Sequence, residues 1–372
     1  MARILISAGD PSGDHQAARL VTALRAARPD LEFWGPGGRE LDAAGSRVTD
    51  DLVKLSAIGL LDVLPSVPKA WFMLRRTLAA ARAERPDLAI LVDCGAFHLP
   101  LGRALRAMGV PVLGYFPPGS WSGSRKRAAK VAEAYSAVAT VFPTALPAYA
   151  ELGLPATLVG HPLVDELAGL AAARHSLPLA PPRLALLPGS RRQEIRHILA
   201  PMLDAAAVLR AEQPDLQVVV SLAPSAPRAL FDQVVARSGV PVEVVSGSRE
   251  AMARATAGIV KSGTVALEAT LVGLPFVGVY RTGLPAYLVA SAYYWPRPKY
   301  WLMPNILLNR MVVPQRFQFR VNGANLADTV RPLLIDSAER RAMVDGLAQA
   351  AASLGGGGAT ERATAVALAM LP

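Results

Sequence analysis

One cysteine, Cys94, stands in a chain of 372 residues. A single thiol excludes a disulfide scaffold and any Cys-rich zinc or iron–sulfur site, and it suits a reducing compartment. Lysine is also scarce: six of the 39 basic residues are Lys, so arginine supplies nearly all the positive charge. Against 29 acidic residues the formal net charge is +10. Guanidinium groups hold phosphates and anionic headgroups bidentately, which favours such ligands, although compositional bias accounts for most of these arginines. No dense basic run, zinc spacing or RNA-binding aromatic motif is present, so nucleic acid is not an expected partner. The five histidines are scattered, and neither HExxH nor an acidic triad occurs, so no metal is expected. Long hydrophobic runs are lacking too. The most apolar stretch, Thr264 to Tyr280, contains Glu268 and Pro275, and a membrane span needs ~20 apolar residues. The opening MARILISAGD has no basic n-region and reads as a first strand rather than a signal peptide.

What remains is 52% hydrophobic, with 30 Gly and 31 Pro, enough for one or two full cores. At ~150 residues per domain, two domains are expected. Apolar segments of five to eight residues alternate with amphipathic stretches, the pattern of βα units feeding a parallel sheet. Strands are predicted at 4–8, 31–34, 88–93, 111–116, 138–142 and 157–159, and again at 184–187, 217–221, 242–245, 258–261 and 276–280. The fold class is therefore α/β, with two Rossmann-like, doubly wound domains, 1–168 and 184–354. Residues 169–183, GLAAARHSLPLAPPR, lose periodicity and collect prolines, which suggests a linker. A terminal helix over 359–372 is set off by Gly355–Gly358 and either crosses back to the first domain or caps the second.

Three strand-to-helix turns carry the chemistry. In Ala8-Gly9-Asp10-Pro11-Ser12-Gly13-Asp14, glycines permit close backbone approach and a helix N-terminus offers amides to a ligand. This is not GxGxxG and lacks a P-loop lysine, so Gly9, Ser12, Gly13 and Asp14 are read as contacts to a substrate. The bland alternative is a turn with Ser12 as cap and a helix starting near His15. Leu187-Pro188-Gly189-Ser190-Arg191 opens a helix carrying Glu194, so amides, Ser190 and Arg191 are expected to converge on a diphosphate, Glu194 being otherwise a capping-box acid. In Lys261-Ser262-Gly263-Thr264, followed by Glu268, the turn amides would hold phosphate while Glu268 reaches a ribose diol, unless Glu268 merely pairs with an arginine. Asp93, closing the strand LAILV, is the candidate general base, with an N-cap role as the alternative and His98 and His161 as rival bases.

Residues 58–76 differ. Val67, Trp71, Leu74 and Leu78 make a stripe suited to a core, while Leu60, Leu61, Leu64, Phe72 and Met73 are surplus beside Lys69, Arg75 and Arg76. That surplus fits an interfacial patch on anionic lipid, with a buried helical hairpin as the alternative. Arg125, Lys126, Arg127 and Lys130 form a second small basic cluster, by default a solvated helix face.

Taken in order, these segments resemble the lipid-A-disaccharide synthase family. The resemblance runs from Ala8–Asp14 through Gly59–Leu64, Asp93, Tyr115–Trp121, the basic Arg125-Lys126-Arg127, Gly160-His161, LALLPGSRRQE at 184–194, Ser262–Glu268 and Tyr280-Arg281 to Pro304–Gln318. It implies a B-type, inverting, metal-independent glycosyltransferase without cofactor. The donor would be UDP-2,3-diacylglucosamine and the acceptor 2,3-diacylglucosamine 1-phosphate, a lipid-linked amino sugar. It implies Asp93 as base, Arg191, Glu194, Ser262, Thr264, Glu268, Asn305 and Gln318 on the nucleotide side, and an acyl-chain region at 58–74 including Leu60, Leu61, Leu64, Trp71, Phe72 and Met73. It also implies a cytoplasmic enzyme held peripherally on the inner, anionic face of the plasma membrane. Two departures fall on the acceptor side. The family's Asp-Ala-Pro-Asp-Phe-Asn is here Asp93-Cys94-Gly95-Ala96-Phe97-His98, and its Ser-Pro-Ser-Val-Trp-Ala-Trp is Pro117 to Gly123. The rival readings are a transferase with another lipid acceptor, a UDP-sugar 2-epimerase and a non-catalytic nucleotide-sugar-binding protein.

Overall fold

The computed structural model describes residues 2–56, 67–284, 287 and 299–372. The chain forms two compact units: Met1–Asp165 together with Leu354–Pro372, and Glu166–Ser353.

In the first unit β1 (Arg3–Ala8), β2 (Glu32–Gly37), β3 (Arg47–Asp51), β4 (Leu88–Val92), β5 (Val112–Tyr115), β6 (Ala137–Thr140) and β7 (Ala156–Leu158) form one sheet. Its order is β3-β2-β1-β4-β5-β6-β7. The pairings are parallel, with Leu5 opposite Ala89 and Leu91 opposite Gly114. Both faces are covered by helices, so the central strands are almost wholly buried and, Ser7 of β1 apart, mostly apolar. Every residue of β4 is buried, as are Ile4 to Ala8 of β1.

The second unit repeats the plan with β8 (Arg183–Leu187), β9 (Gln217–Leu222), β10 (Glu243–Ser246), β11 (Ala257–Lys261), β12 (Phe276–Tyr280) and β13 (Gln315–Phe317). The order is β10-β9-β8-β11-β12-β13. In each sheet the first strand lies between two neighbours reached in opposite directions. These switch points, β1/β4 and β8/β11, are where helices diverge and leave a crevice beyond the strand ends.

β3 and β13 carry no predicted strand. RVTDD and QRF have no apolar run, and each lies at the edge of its sheet. Residues 169–174, expected to begin a linker, instead continue the helix Leu163–Arg174. Arg174 is buried and donates to the carbonyls of Val272 (3.2 Å), Ala255 (2.8 Å) and Met252. The terminal helix Ala359–Ala369 buries Ala359, Ala363 and Ala367 on one face and packs with the helix Pro11–Ala27 of the first unit. Asp165 accepts from Gly358 N at 3.0 Å and Arg362 Nε donates to Val159 O at 2.9 Å.

Candidate active site

At the β1/β4 switch point the chain leaves β1 through Gly9 and Asp10, and Asp10 caps the helix Pro11–Ala27 by accepting from Gly13 N at 2.6 Å. The cap is thus Asp10 and not Ser12, which lies exposed within the first turn, and the helix starts four residues before His15. Asp14 turns inward and is buried. Its carboxylate accepts from Gly38 N at 2.7 Å and Glu40 N at 3.0 Å, which fixes the start of the helix Arg39–Ala43.

β4 ends in an unusual turn. Asp93 and Cys94 have φ of 54° and 45°, a left-handed conformation that residues with a Cβ rarely adopt. Gly9 makes room for it, because a Cβ at Gly9 would lie 2.2 Å from that of Cys94. The Asp93 amide donates to Tyr115 O at 3.1 Å, extending the β4/β5 ladder by one bond. The Asp93 side chain keeps an accessible face, yet the surrounding protein strips enough water that its carboxyl is pushed up to about 7. Desolvation is the main cause and the nearby Asp10 charge adds to it. A carboxyl poised there titrates near neutrality, where a general base is most effective.

Both rival bases are buried. His98 is fully buried, with its pKa lowered to about 4 by desolvation, and its ring nitrogens lie against Asp93 O and Ser7 Oγ. His161 is buried between the rings of Phe116 and Phe142, at centroid distances of 5.4 and 5.7 Å, and accepts from Leu163 N at 3.2 Å. The departures have local reasons. A Cβ at Gly95 would lie 2.8 Å from that of Pro118, and Gly123 has φ 59° with Thr144 O 2.9 Å from its would-be Cβ. Ala96 is exposed.

At the β8/β11 switch point a cavity of about 310 Å³ is lined by Gly189, Ser190, Arg191, Lys261, Thr264 and Glu268, with Leu187, Glu194, Ser221, Ala223, Ser248 and Val265 completing it. Gly189 has φ 101°, and a Cβ there would lie 2.2 Å from Glu194. Glu194 organises the loop: it accepts from Ser190 N at 2.9 Å and Arg191 N at 3.1 Å and pairs with Lys261 Nζ at 2.7 Å. Those two amides are therefore occupied by Glu194, contrary to the expectation that they meet a diphosphate. The cationic groups lining the cavity are the Arg191 guanidinium and the Lys261 ammonium, the latter paired with Glu194, beside the N-terminus of the helix Thr264–Leu271, whose first amides have no intrahelical acceptor. Glu268, buried in that helix, accepts from Ser248 Oγ at 2.8 Å and Arg249 Nε at 3.1 Å.

Four expected nucleotide-side residues do not line this cavity. Ser262 joins the sheet by donating its amide to Val279 O at 2.8 Å, and Gly263, φ 136°, is the N-cap of the following helix. Asn305 is fully buried, bridging Val312 N (2.8 Å), Val313 N (2.9 Å) and Val313 O (2.8 Å). Gln318 pairs with both backbone groups of Thr282, at 3.2 and 2.8 Å. Lys261, Ser248 and Arg249 are present where the sequence reading named no site residue. The signal was available, since Gly247-Ser248-Arg249 repeats Gly189-Ser190-Arg191.

Between residues 58 and 74, Leu60, Leu61 and Leu64 lie outside the described residues. In the helix Val67–Glu84 the buried stripe is Met73, Thr77 and Ala81, not Val67 and Trp71. Met73 belongs to the core, whereas Trp71 and Phe72 are 48% and 60% exposed. Their rings meet at 5.0 Å, and the Arg75 guanidinium sits 4.7 Å from the Trp71 ring centre. Among the described residues no helix is long and apolar enough to cross a membrane, and no group of three or more His, Cys, Asp or Glu could hold a metal ion.

Residues 4–367 match the family described as lipid-A-disaccharide synthetase. The chain belongs to that family. A lipid-A-disaccharide synthase from Myxococcus xanthus (strain DK1622) is 40% identical, the match covering 100% of this chain and 98% of that one. The fold also resembles a UDP-GlcNAc 2-epimerase from Neisseria meningitidis bound to UDP-GlcNAc (TM-score 0.63, 11% identity, 99% and 100% covered). The calicheamicin glycosyltransferase CalG4 is similar at TM-score 0.55, with 16% identity and 99% and 98% covered. These likenesses place the two-domain Rossmann-like architecture among B-type glycosyltransferases and epimerases.

Proposed function

We propose that this lipid-A-disaccharide synthase family member transfers 2,3-diacylglucosamine from its UDP derivative to the 6-hydroxyl of 2,3-diacylglucosamine 1-phosphate. The products are the disaccharide 1-phosphate and UDP. The observation that carries the donor assignment is the cavity at the β8/β11 switch point, where Arg191, Lys261 and a helix N-terminus surround the buried acid Glu268. That set suits a diphosphate beside a sugar diol. UDP-GlcNAc bound to the Neisseria epimerase, on the same architecture, supports a UDP-sugar donor.

In the reaction the acceptor O6 attacks the donor anomeric carbon from the face opposite the diphosphate, and its proton passes to Asp93. The C1–O bond to the diphosphate breaks with its electron pair on UDP, so configuration inverts. Arg191, Lys261 and the amides at Thr264 balance the charge that grows on the leaving group. Glu268 takes the ribose hydroxyls, held in place by Ser248 and Arg249. Lys261→Ala is expected to weaken UDP binding about tenfold, a ~1.4 kcal/mol loss of one charge-assisted contact. Calorimetric titration with UDP tests this, and unchanged affinity removes Lys261 from the site.

Trp71 and Phe72, with the exposed cations Lys69 and Arg75, suit insertion into an anionic lipid surface. Peripheral attachment to the cytoplasmic face of the membrane brings the enzyme to its lipid-linked acceptor.

A further inference from the structure

We propose that His98 is a positioning residue for Asp93: its Nδ1–H holds the Asp93 carbonyl and so fixes the left-handed turn from which the carboxylate projects. This inference rests on the reading of Asp93 as the base. His98 Nδ1 lies 2.6 Å from Asp93 O and Nε2 lies 2.9 Å from Ser7 Oγ. A backbone carbonyl only accepts, so Nδ1 must carry the proton. Desolvation of the fully buried ring keeps it neutral, so Nε2 is an acceptor and the Ser7 hydroxyl donates to it. One side chain thereby ties the end of β4 and the helix Gly95–Ala107, on which it sits, to β1.

The turn needs such a tie. Asp93 and Cys94 are successive left-handed residues, each with a Cβ, and a chain free to relax would leave that region. From the other side the turn is limited by Gly9, against which Cys94 packs with no room for a Cβ. From the helix His98 also donates its own amide to Cys94 O at 2.9 Å. Releasing the Asp93 carbonyl lets the peptide rotate and carries the carboxylate with it. A displacement of about 1 Å costs on the order of 10²-fold in rate.

Two polar substitutions separate the His98 bonds. Asparagine places its amide near Nδ1 and keeps a donor for the Asp93 carbonyl, whereas glutamine reaches toward the Nε2 position and Ser7. With the full chain and both lipid substrates in micelles, His98→Asn is expected to keep kcat within about threefold. His98→Gln should lower kcat ~10- to 100-fold with the KM for the UDP-sugar within twofold, and move the acidic limb of the kcat profile to lower pH as Asp93 regains water. Equal kcat for the two variants, or the reverse ranking, overturns the proposal. The base reading fails separately, on an active Asp93→Asn variant, so a dead Asp93→Asn beside equal His98 variants contradicts only the role of His98.

Discussion

Asp93 holds its proton in the folded chain up to about pH 7, whereas an unfolded chain releases it near the ordinary 3.8. The folded state therefore binds the more protons between these values, and the stability from the protonated carboxyl, full below about pH 4, is lost as pH rises through 7. Asparagine is neutral throughout. The Asp93→Asn variant should accordingly match the wild type near pH 4, gain in relative thermal midpoint up to about pH 7, and keep a constant advantage above it. A midpoint difference that does not change with pH contradicts the raised value. On the proposed mechanism the same residue makes wild-type kcat fall below about pH 7 as the base becomes protonated. The candidate acid and the three turns were legible in the sequence because strand-end acids and Gly-Ser-Arg or Ser-Gly-Thr turns are local patterns. The direction of a carboxylate was not legible. Asp14 and Glu194 are both acids at helix starts, yet the first caps a neighbouring helix while the second binds its own loop and Lys261.

Among the elements, β4 and β11 were legible from apolar runs buried in the sheet, and the edge strands β7 and β10 from short apolar runs of their own. β3 and β13 escaped because RVTDD and QRF contain no apolar run, which an edge strand can do without. Asn305 and Gln318 show the same limit from another side: each bonds to backbone remote in sequence, which only the packed loop reveals. Replacing Asn305 with alanine leaves Val312 and Val313 amides buried without acceptors, a cost of roughly 1–3 kcal/mol per group. Denaturant unfolding should show that loss while UDP affinity per folded molecule stays within twofold; a selective loss of UDP binding returns Asn305 to the site. In the helix Val67–Glu84 the expected stripe holds at Leu74 and Leu78, which pack against the core, and fails at Val67 and Trp71, which are exposed. Both Trp71 and Met73 fit a stripe by hydrophobicity alone, and only Met73 faces the core. The exposed pair predicts that Trp71→Ala with Phe72→Ala reduces partition onto anionic vesicles by about tenfold or more, from ~1.5–3 kcal/mol per buried aromatic, with little change in thermal midpoint. Undiminished vesicle binding moves the membrane surface elsewhere.

For the whole molecule, two doubly wound units present their candidate sites at equivalent positions. Each candidate site lies at the switch point beside the first strand, with an acid and a glycine turn in one and a cavity lined by Arg191 and Lys261 in the other. The tandem α/β pattern was visible as repeated strand-to-helix turns. The return of Leu354–Pro372 to the first unit was left undecided, since Ala359, Ala363 and Ala367 form a small-residue stripe with no chemical label for its partner. The account stands most directly on one measurement: mass-spectrometric detection of disaccharide 1-phosphate from UDP-2,3-diacylglucosamine and 2,3-diacylglucosamine 1-phosphate in micelles, wild type beside Asp93→Asn. Product is expected with the wild type and a rate ~10²–10⁴-fold lower with the variant, at equal UDP affinity. Product formed equally by both, or none by a wild type that binds UDP, contradicts it.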